Sequence, residues 1–207
     1  MNRFAERWAG VDVGAGKGLD LAVIDCRGLV TGPLRITEIA QAVRWLSDQR
    51  PRVVAVDSPR SPAPEGELSR QGERDLVHAG VCGIRYTPDR AALGENTTYY
   101  AWIANGFELY AALTAESRTA GWQVIECFPT ATWSRLGGRK GSHSRARWSR
   151  QVLESLDLQR LPNRMNQDAR DAIGAAVTAK LYDNNATERF GEIIVPTSGT
   201  RGHRFKQ

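Results

Sequence analysis

The stretch Ala9-Gly10-Val11-Asp12-Val13-Gly14 sets one aspartate between two valines. Residues 9–13 predict a strand, and the glycine-rich turn at 14–18 predicts a hairpin into a second strand at 19–24. Aspartate is depleted in strands, and a buried carboxylate is costly unless it is paired or bound to a metal. Asp12 is therefore a candidate functional residue.

The rest of the chain predicts further strands and helices around this hairpin. A third strand is expected at 29–36 and an apolar one at 53–56, followed by a proline-rich loop. Later strands are expected at 122–127 and 193–195, and helices at 38–49, 67–79, 99–119, 145–156 and 168–181. Three strands joined by tight turns, followed by alternating helices and strands, predict an α/β fold whose mixed sheet carries helices on both faces.

Acidic side chains fall at the ends of these elements. Asp57 ends the apolar strand, Glu126 stands near the end of a later one, and Asp168 and Asp171 open an alanine-rich helix. Residues three apart share a helix face, so both helical carboxylates can point the same way. Together with Asp12 they predict an all-oxygen pocket of the kind that binds Mg²⁺ or Mn²⁺. Two such ions clamp the attacking and leaving oxygens of a phosphodiester.

Each acid also has an ordinary structural explanation. Asp12 can accept hydrogen bonds from the turn beside it, and Asp57 before Ser58 can form an Asx-turn. Glu126 can pair with an arginine, and Asp168 suits a helix N-terminus. The metal pocket is therefore a hypothesis about the set, because no single member requires it.

The composition limits the class of protein. The chain has 207 residues, 41% of them hydrophobic and 25% charged. These values predict a single globular domain over residues 1–207 that ends in a polar C-terminal tail. No apolar run approaches the roughly 20 residues of a membrane helix. The three cysteines lack metal-ligand spacing and fit a reducing compartment, so we expect a cytoplasmic protein.

A basic stretch without acids lies between Glu126 and Glu154. It holds the residues that we expect to contact DNA or RNA, namely Arg135, Arg139, Lys140, Arg145, Arg147 and Arg150. Lysine and arginine neutralise phosphates and so give affinity that does not depend on base sequence. A solvated basic helix is the alternative. The net charge of +5 agrees with either interpretation, since a general arginine bias would also produce it.

The motifs resemble those of the ribonuclease H-like (retroviral integrase) superfamily. Gly-Val-Asp-Val-Gly at 10–14 is similar to its opening strand, and Asp-Ala-Arg-Asp-Ala at 168–172 is similar to the last helix of RuvC-type resolvases. A closer resemblance is to domain-of-unknown-function family 429, described as predicted nucleases. Its marks stand at 55–59, 70–74, 88–93, 106–110 and 125–129, and the resemblance spans about residues 8–183.

This resemblance implies a five-stranded mixed sheet and a metal-dependent nuclease. The ligands of two Mg²⁺ or Mn²⁺ ions that it implies are Asp12, Asp57, Glu126 and one or both of Asp168 and Asp171. Two other functions stay open. Actin-like kinases share this fold core in two copies, which a homodimer of this chain would supply. A nucleic-acid-binding protein without catalysis would keep the basic stretch and a residual metal site.

Overall fold

One mixed sheet of seven strands organises the computed structural model, which describes residues 5–14, 16 and 18–198. The strands are β1 (Trp8–Val13), β2 (Leu19–Ile24), β3 (Leu29–Ile36), β4 (Val53–Asp57), β5 (Gln123–Cys127), β6 (Thr187–Phe190) and β7 (Ile193–Pro196). Their order across the sheet is β3-β2-β1-β4-β5-β7-β6. β1, β4, β5 and β7 run parallel to one another, whereas β2, β3 and β6 pair antiparallel with their neighbours.

The five-stranded sheet that the resemblance implies is corrected to seven strands, of which β7 was expected at 193–195. The hairpin of β6 and β7 follows the last helix and adds to the edge of β5, where Glu126 and Cys127 pair with Ile193 and Ile194. The sequence pattern did not predict β6, because β6 is a polar strand at the edge of the sheet and is only partly buried. The expected polar tail beyond residue 198, and Ala15 and Lys17 of the expected turn, lie outside the described residues.

Seven helices are assigned within the described ranges. They are α1 (Ile39–Gln49), α2 (Gln71–His78), α3 (Arg90–Glu95), α4 (Ala101–Ala120), α5 (Pro129–Gly137), α6 (Arg145–Ser155) and α7 (Gln167–Asp183). α2 begins four residues later than predicted, because Arg70 and Glu73 form a capping box there. Pro129 begins α5, since a proline is tolerated in the first turn. Among these helices, none combines the length and apolar character that crossing a membrane requires.

The alternation of β1 divides the core between the two faces of the sheet. Ala9, Val11 and Val13 pack with residues of α1 and α4, whereas Trp8 belongs to the core formed with α5, α6 and α7. Successive side chains of a strand point to opposite faces, so Gly10 and Asp12 share the face of Trp8. Helices therefore cover both faces, as predicted, and Asp12 faces α7.

Gly10 lets α7 lie directly on β1. A Cβ at this position would stand 2.0 Å from the carbonyl oxygen of Ala172 and 2.3 Å from the amide nitrogen of Ala176. The backbones of the strand and the helix are thus in contact, which the small side chains after Asp171 also allow. This contact holds the first turn of α7 beside the tip of β1.

Candidate metal centre

Three aspartates meet where β1, β4 and α7 converge. Asp12 and Asp57 are paired neighbours on parallel strands, and Asp171 comes from the first turns of α7. One carboxylate oxygen from each of the three lies within 4.8 Å of the other two. The described structure thus brings together acids that are up to 159 positions apart in the chain (Asp12 and Asp171). The spacing suits a shared divalent cation, because such ions bind several carboxylate oxygens at once.

A second acidic group shares Asp12 with the first. Its other members are Asp20 and Asp168, and the three ligand atoms again lie within 4.8 Å of one another. Asp20 is the cross-strand partner of Asp12 in the β1–β2 hairpin. Arg35 already neutralises this group, since its guanidinium lies 2.5 Å from Asp20 and 2.9 Å from Asp168. The second group is therefore an ion-paired cluster.

Burial raises the pKa of every carboxyl in the first group. At Asp12 burial is the largest cause, the charge of Asp171 adds to it, and the pKa reaches about 7. Burial and then the charge of Asp12 raise the pKa of Asp57 well above its usual range. Burial also raises the pKa of Asp171, against the opposing charge of Arg145. The three carboxyl groups thus concentrate negative charge that Arg145 only partly offsets. A divalent cation would neutralise the rest.

The carboxylate of Asp171 is held on both of its oxygens. Oδ1 accepts hydrogen bonds from Nε1 of Trp133 and Nε2 of Gln167, each at 2.9 Å. Oδ2 accepts one from Nη2 of Arg145 at 2.8 Å. Trp133 is fully buried and its ring packs against Gly174, one turn further along α7. These bonds fix the orientation of Asp171, as hydrogen bonds to metal-binding carboxylates usually do.

A cleft of about 740 Å³ opens above the three aspartates. Its walls carry the cationic side chains of Arg85, Lys140 and Arg145, the rings of Trp102, Phe128 and Trp148, and the paired charges of Arg70, Glu73 and Glu126. An acidic floor with cationic and aromatic side chains beside it suits a polyanion that reaches the acids through a bound cation.

Glu126 lies on the other face of the sheet. β5 pairs with β4 so that Cys127, and not Glu126, stands beside Asp57. Because successive residues of a strand point to opposite faces, Glu126 starts from the face opposite to that of Cys127, and it reaches the rim of the cleft without joining the aspartates. Its carboxylate is buried and accepts hydrogen bonds from both terminal nitrogens of Arg70 and from the amide of Arg60. The structure does not bring Glu126 into either acidic group.

We expect Glu126→Gln to destabilise the protein by about 2 kcal/mol, because it weakens two charge-assisted hydrogen bonds from the buried guanidinium of Arg70, which keeps Glu73 as its buried partner. Glu192→Gln is the matched control, since Glu192 is 44% exposed and contacts the same guanidinium at 3.4 Å. An exposed pair contributes less than about 1 kcal/mol. Urea unfolding measures both. If folded Glu126→Gln bound Mn²⁺ more than about tenfold more weakly than the wild-type protein, the loss would match that of a metal contact. Glu126 would then belong to the metal site.

The expected nucleic-acid contacts are only partly gathered at the cleft. Lys140 and Arg145 line it, and Arg139 lines an adjoining pocket that also contains Lys140. Arg135 forms an ion pair with Glu188 of β6. Arg147 and Arg150 are exposed on α6. The basic stretch thus supplies two cations to the walls above the aspartates.

Four residues of this centre were missed by the sequence analysis, namely Asp20, Arg35, Trp133 and Gln167. The signal for Asp20 was present, because a hairpin of strands 9–13 and 19–24 sets it opposite Asp12. Gln167 lies four residues before Asp171, which is one turn of the same helix. Arg35 is the cross-strand partner of Asp20 in β2 and β3, so the same hairpin pattern could have indicated it. The role of Trp133 could not be found in this way, since its contact with Asp171 joins two different helices.

Neither a protein-family model nor a curated protein sequence matches the chain. Among solved structures, the chain is similar to "Thermus thermophilus RuvC structure", with 19% identity, a TM-score of 0.47, and 86% of this chain and 96% of that chain covered. It is also similar to "T. thermophilus RuvC in complex with Holliday junction substrate", with 17% identity, a TM-score of 0.48, and coverage of 87% and 96%. At these identities the similarity concerns the fold alone. The resemblance to family 429 stays a prediction.

Proposed function

We propose that this protein is a metal-dependent nuclease that hydrolyses phosphodiester bonds of DNA or RNA. The observation that supports it most is the group of Asp12, Asp57 and Asp171, whose ligand atoms lie within 4.8 Å of one another on the floor of a cleft that Arg85, Lys140 and Arg145 also line. Such a concentration of buried carboxylates is costly without a cation. The order β3-β2-β1-β4-β5 supports a ribonuclease H-like core to which β7 and β6 are added.

The donor set fits Mg²⁺ or Mn²⁺, because it consists of carboxylate oxygens. Asp12, Asp57 and Asp171 would hold the first ion. Asp12 and Asp168 would contribute to a second, for which Arg35 must release Asp168, so we expect the second ion to bind more weakly. We assign Glu126 to the buried ion pair with Arg70 and leave it out of both ligand sets.

Bound ions of this kind supply an activated water and offset charge on the reacting phosphate. The residues of the chain fix the geometry around them. Trp133 and Gln167 hold Oδ1 of Asp171, so the carboxylate presents its other oxygen. Lys140 and Arg145 line the cleft, where they would contact phosphates of the substrate. Trp102 and Phe128 are partly exposed and would offer faces for bases, whereas Trp148 is buried.

A cleavage assay tests this function directly. We expect Mn²⁺ or Mg²⁺ to support cleavage of at least one substrate in a panel of single-stranded, duplex, DNA–RNA hybrid and branched nucleic acids, and EDTA to abolish it. Binding without cleavage across the whole panel would favour the non-catalytic alternative. Stabilisation by ATP without any cleavage would instead favour the kinase-like alternative.

The affinity for Mn²⁺ is expected to depend on pH. Because burial raises the pKa of Asp12 to about 7, a proton competes with the ion below that pH. We expect the affinity to fall at least about tenfold for each unit below pH 7. Isothermal titration from about pH 5.5 to about pH 8.5 measures this dependence. An affinity that stays constant over this range would contradict the assignment of Asp12 as a ligand.

A further inference from the structure

The two oxygens of Asp171 have different kinds of partners. Gln167, which donates to Oδ1, is itself fixed because its Oε1 accepts from Nη2 of Arg170 at 3.0 Å and from Oγ of Ser149 at 3.2 Å. Arg170 is 3% exposed and also donates to Oγ of Ser149 and to the carbonyl of Met165. The Oδ1 side of Asp171 is therefore anchored in the interior by connected hydrogen bonds.

Arg145, on the Oδ2 side, is placed differently. Its side chain is 46% exposed, whereas that of Asp171 is 4% exposed. It is the first residue of α6, and it lines the same cleft as Lys140. A long and exposed side chain at a helix start can change rotamer without disturbing the core. The contact with Asp171 can therefore break at little structural cost.

We propose that Arg145 is an exchangeable counterion, which releases Oδ2 of Asp171 to a divalent cation and then binds a phosphate of the nucleic acid. This inference rests on the proposed function. It adds a coupling between the binding of the divalent cation and the binding of the nucleic acid. Oδ1 already accepts two hydrogen bonds, so Oδ2 is the oxygen of Asp171 left for a cation. A guanidinium and a divalent cation on one oxygen repel each other.

The exchange couples cation binding to substrate binding. Because the cation and the guanidinium compete for Oδ2, removing the guanidinium strengthens cation binding. The same removal takes a positive charge from the cleft and weakens the binding of a phosphodiester. One substitution thus acts on the two ligands in opposite directions, whereas a residue that only supports the fold would weaken both.

Arg145→Gln tests the proposal, because glutamine keeps a hydrogen-bond donor beside Asp171 while it removes the charge. We expect the Mn²⁺ affinity, measured by isothermal titration, to rise about tenfold. We expect the affinity for a fluorescein-labelled single-stranded oligonucleotide, measured by anisotropy in Ca²⁺, to fall about tenfold. Arg44→Gln, an exposed position on α1, is the charge-matched control and gives the part of each change that comes from net charge alone.

The outcomes separate this inference from the function beneath it. Wild-type protein that binds neither Mn²⁺ nor Mg²⁺ would overturn the proposed function itself. If the wild-type protein binds Mn²⁺ but Arg145→Gln binds it no more tightly than Arg44→Gln does, the proposed exchange is overturned. The metal centre itself would stand. Weaker binding of both ligands by Arg145→Gln would assign Arg145 a purely structural role.

Discussion

Asparagine in place of Asp12 is expected to lower metal-dependent cleavage at least about 1,000-fold and, at the same time, to stabilise the fold. The loss of activity follows from the position of Asp12, which belongs to both acidic groups. Asparagine has nearly the same shape but lacks the charge that holds a cation. Removing one group that stabilises the developing charge of a reaction commonly costs about 100- to 1,000-fold, and Asp12 belongs to both groups.

The gain in stability follows from the pKa of the same group. Burial raises the pKa of Asp12 from 3.8 to about 7, so the folded protein binds more protons than the unfolded chain between these values. Stability then decreases as the pH rises through this window. Above pH 7 the wild-type protein therefore carries the full cost of the ionised carboxylate, and Asp12→Asn removes it. We expect the substitution to stabilise the fold by about 2–4 kcal/mol at pH 8.

Urea unfolding at about pH 5 and about pH 8 measures this difference, which should be larger at the higher pH. Asp48→Asn is the matched control, because Asp48 is exposed on α1 and away from the cleft. Cleavage that persists in Asp12→Asn would contradict the assignment of the site. If Asp12→Asn were less stable than the wild-type protein at pH 8, the charge of Asp12 would be stabilised within the fold, as its structural role beside the turn requires.

Local sequence was sufficient to predict the elements that carry the aspartates, but not α5, which supplies Trp133. The hairpin of β1 and β2, the apolar strand β4 and the alanine-rich helix α7 follow from alternation, glycine turns and small side chains. They bring Asp12, Asp57 and Asp171 together because the tips of adjacent parallel strands meet at one edge of a sheet. β6 was missed because its burial depends on β7 and its own pattern is polar.

Glu126 illustrates what local sequence leaves open. Its position near the end of β5 suggested the same edge of the sheet as Asp57, and that much holds. The face depends on the register, and a shift of one residue moves a side chain to the opposite side. The register of β5 against β4 sets Cys127 beside Asp57, and this pairing between distant strands cannot be derived from either strand alone.

Gly10→Ala is expected to destabilise the protein by at least about 3 kcal/mol and to weaken Mn²⁺ binding together with stability. The new Cβ would lie 2.0 Å and 2.3 Å from backbone atoms of Ala172 and Ala176. Overpacking usually costs about 1–3 kcal/mol when side chains can rearrange. Backbone atoms of a helix cannot turn aside, so α7 as a whole must move away from β1.

This movement connects the packing of the core with the proposed chemistry. α7 carries Asp168 and Asp171, whereas β1 carries Asp12, so separating the two elements widens both acidic groups. Urea unfolding and titration with Mn²⁺ measure the two effects on the same protein.

Gly94→Ala is the control, because a Cβ at Gly94 meets no heavy atom within 4 Å and alanine favours the helix α3. If Gly10→Ala instead remained within about 1 kcal/mol of the wild-type protein, the close contact between β1 and α7 would be wrong, since ordinary overpacking alone costs that much. If stability fell while Mn²⁺ affinity stayed unchanged, the cation would not be held between these two elements.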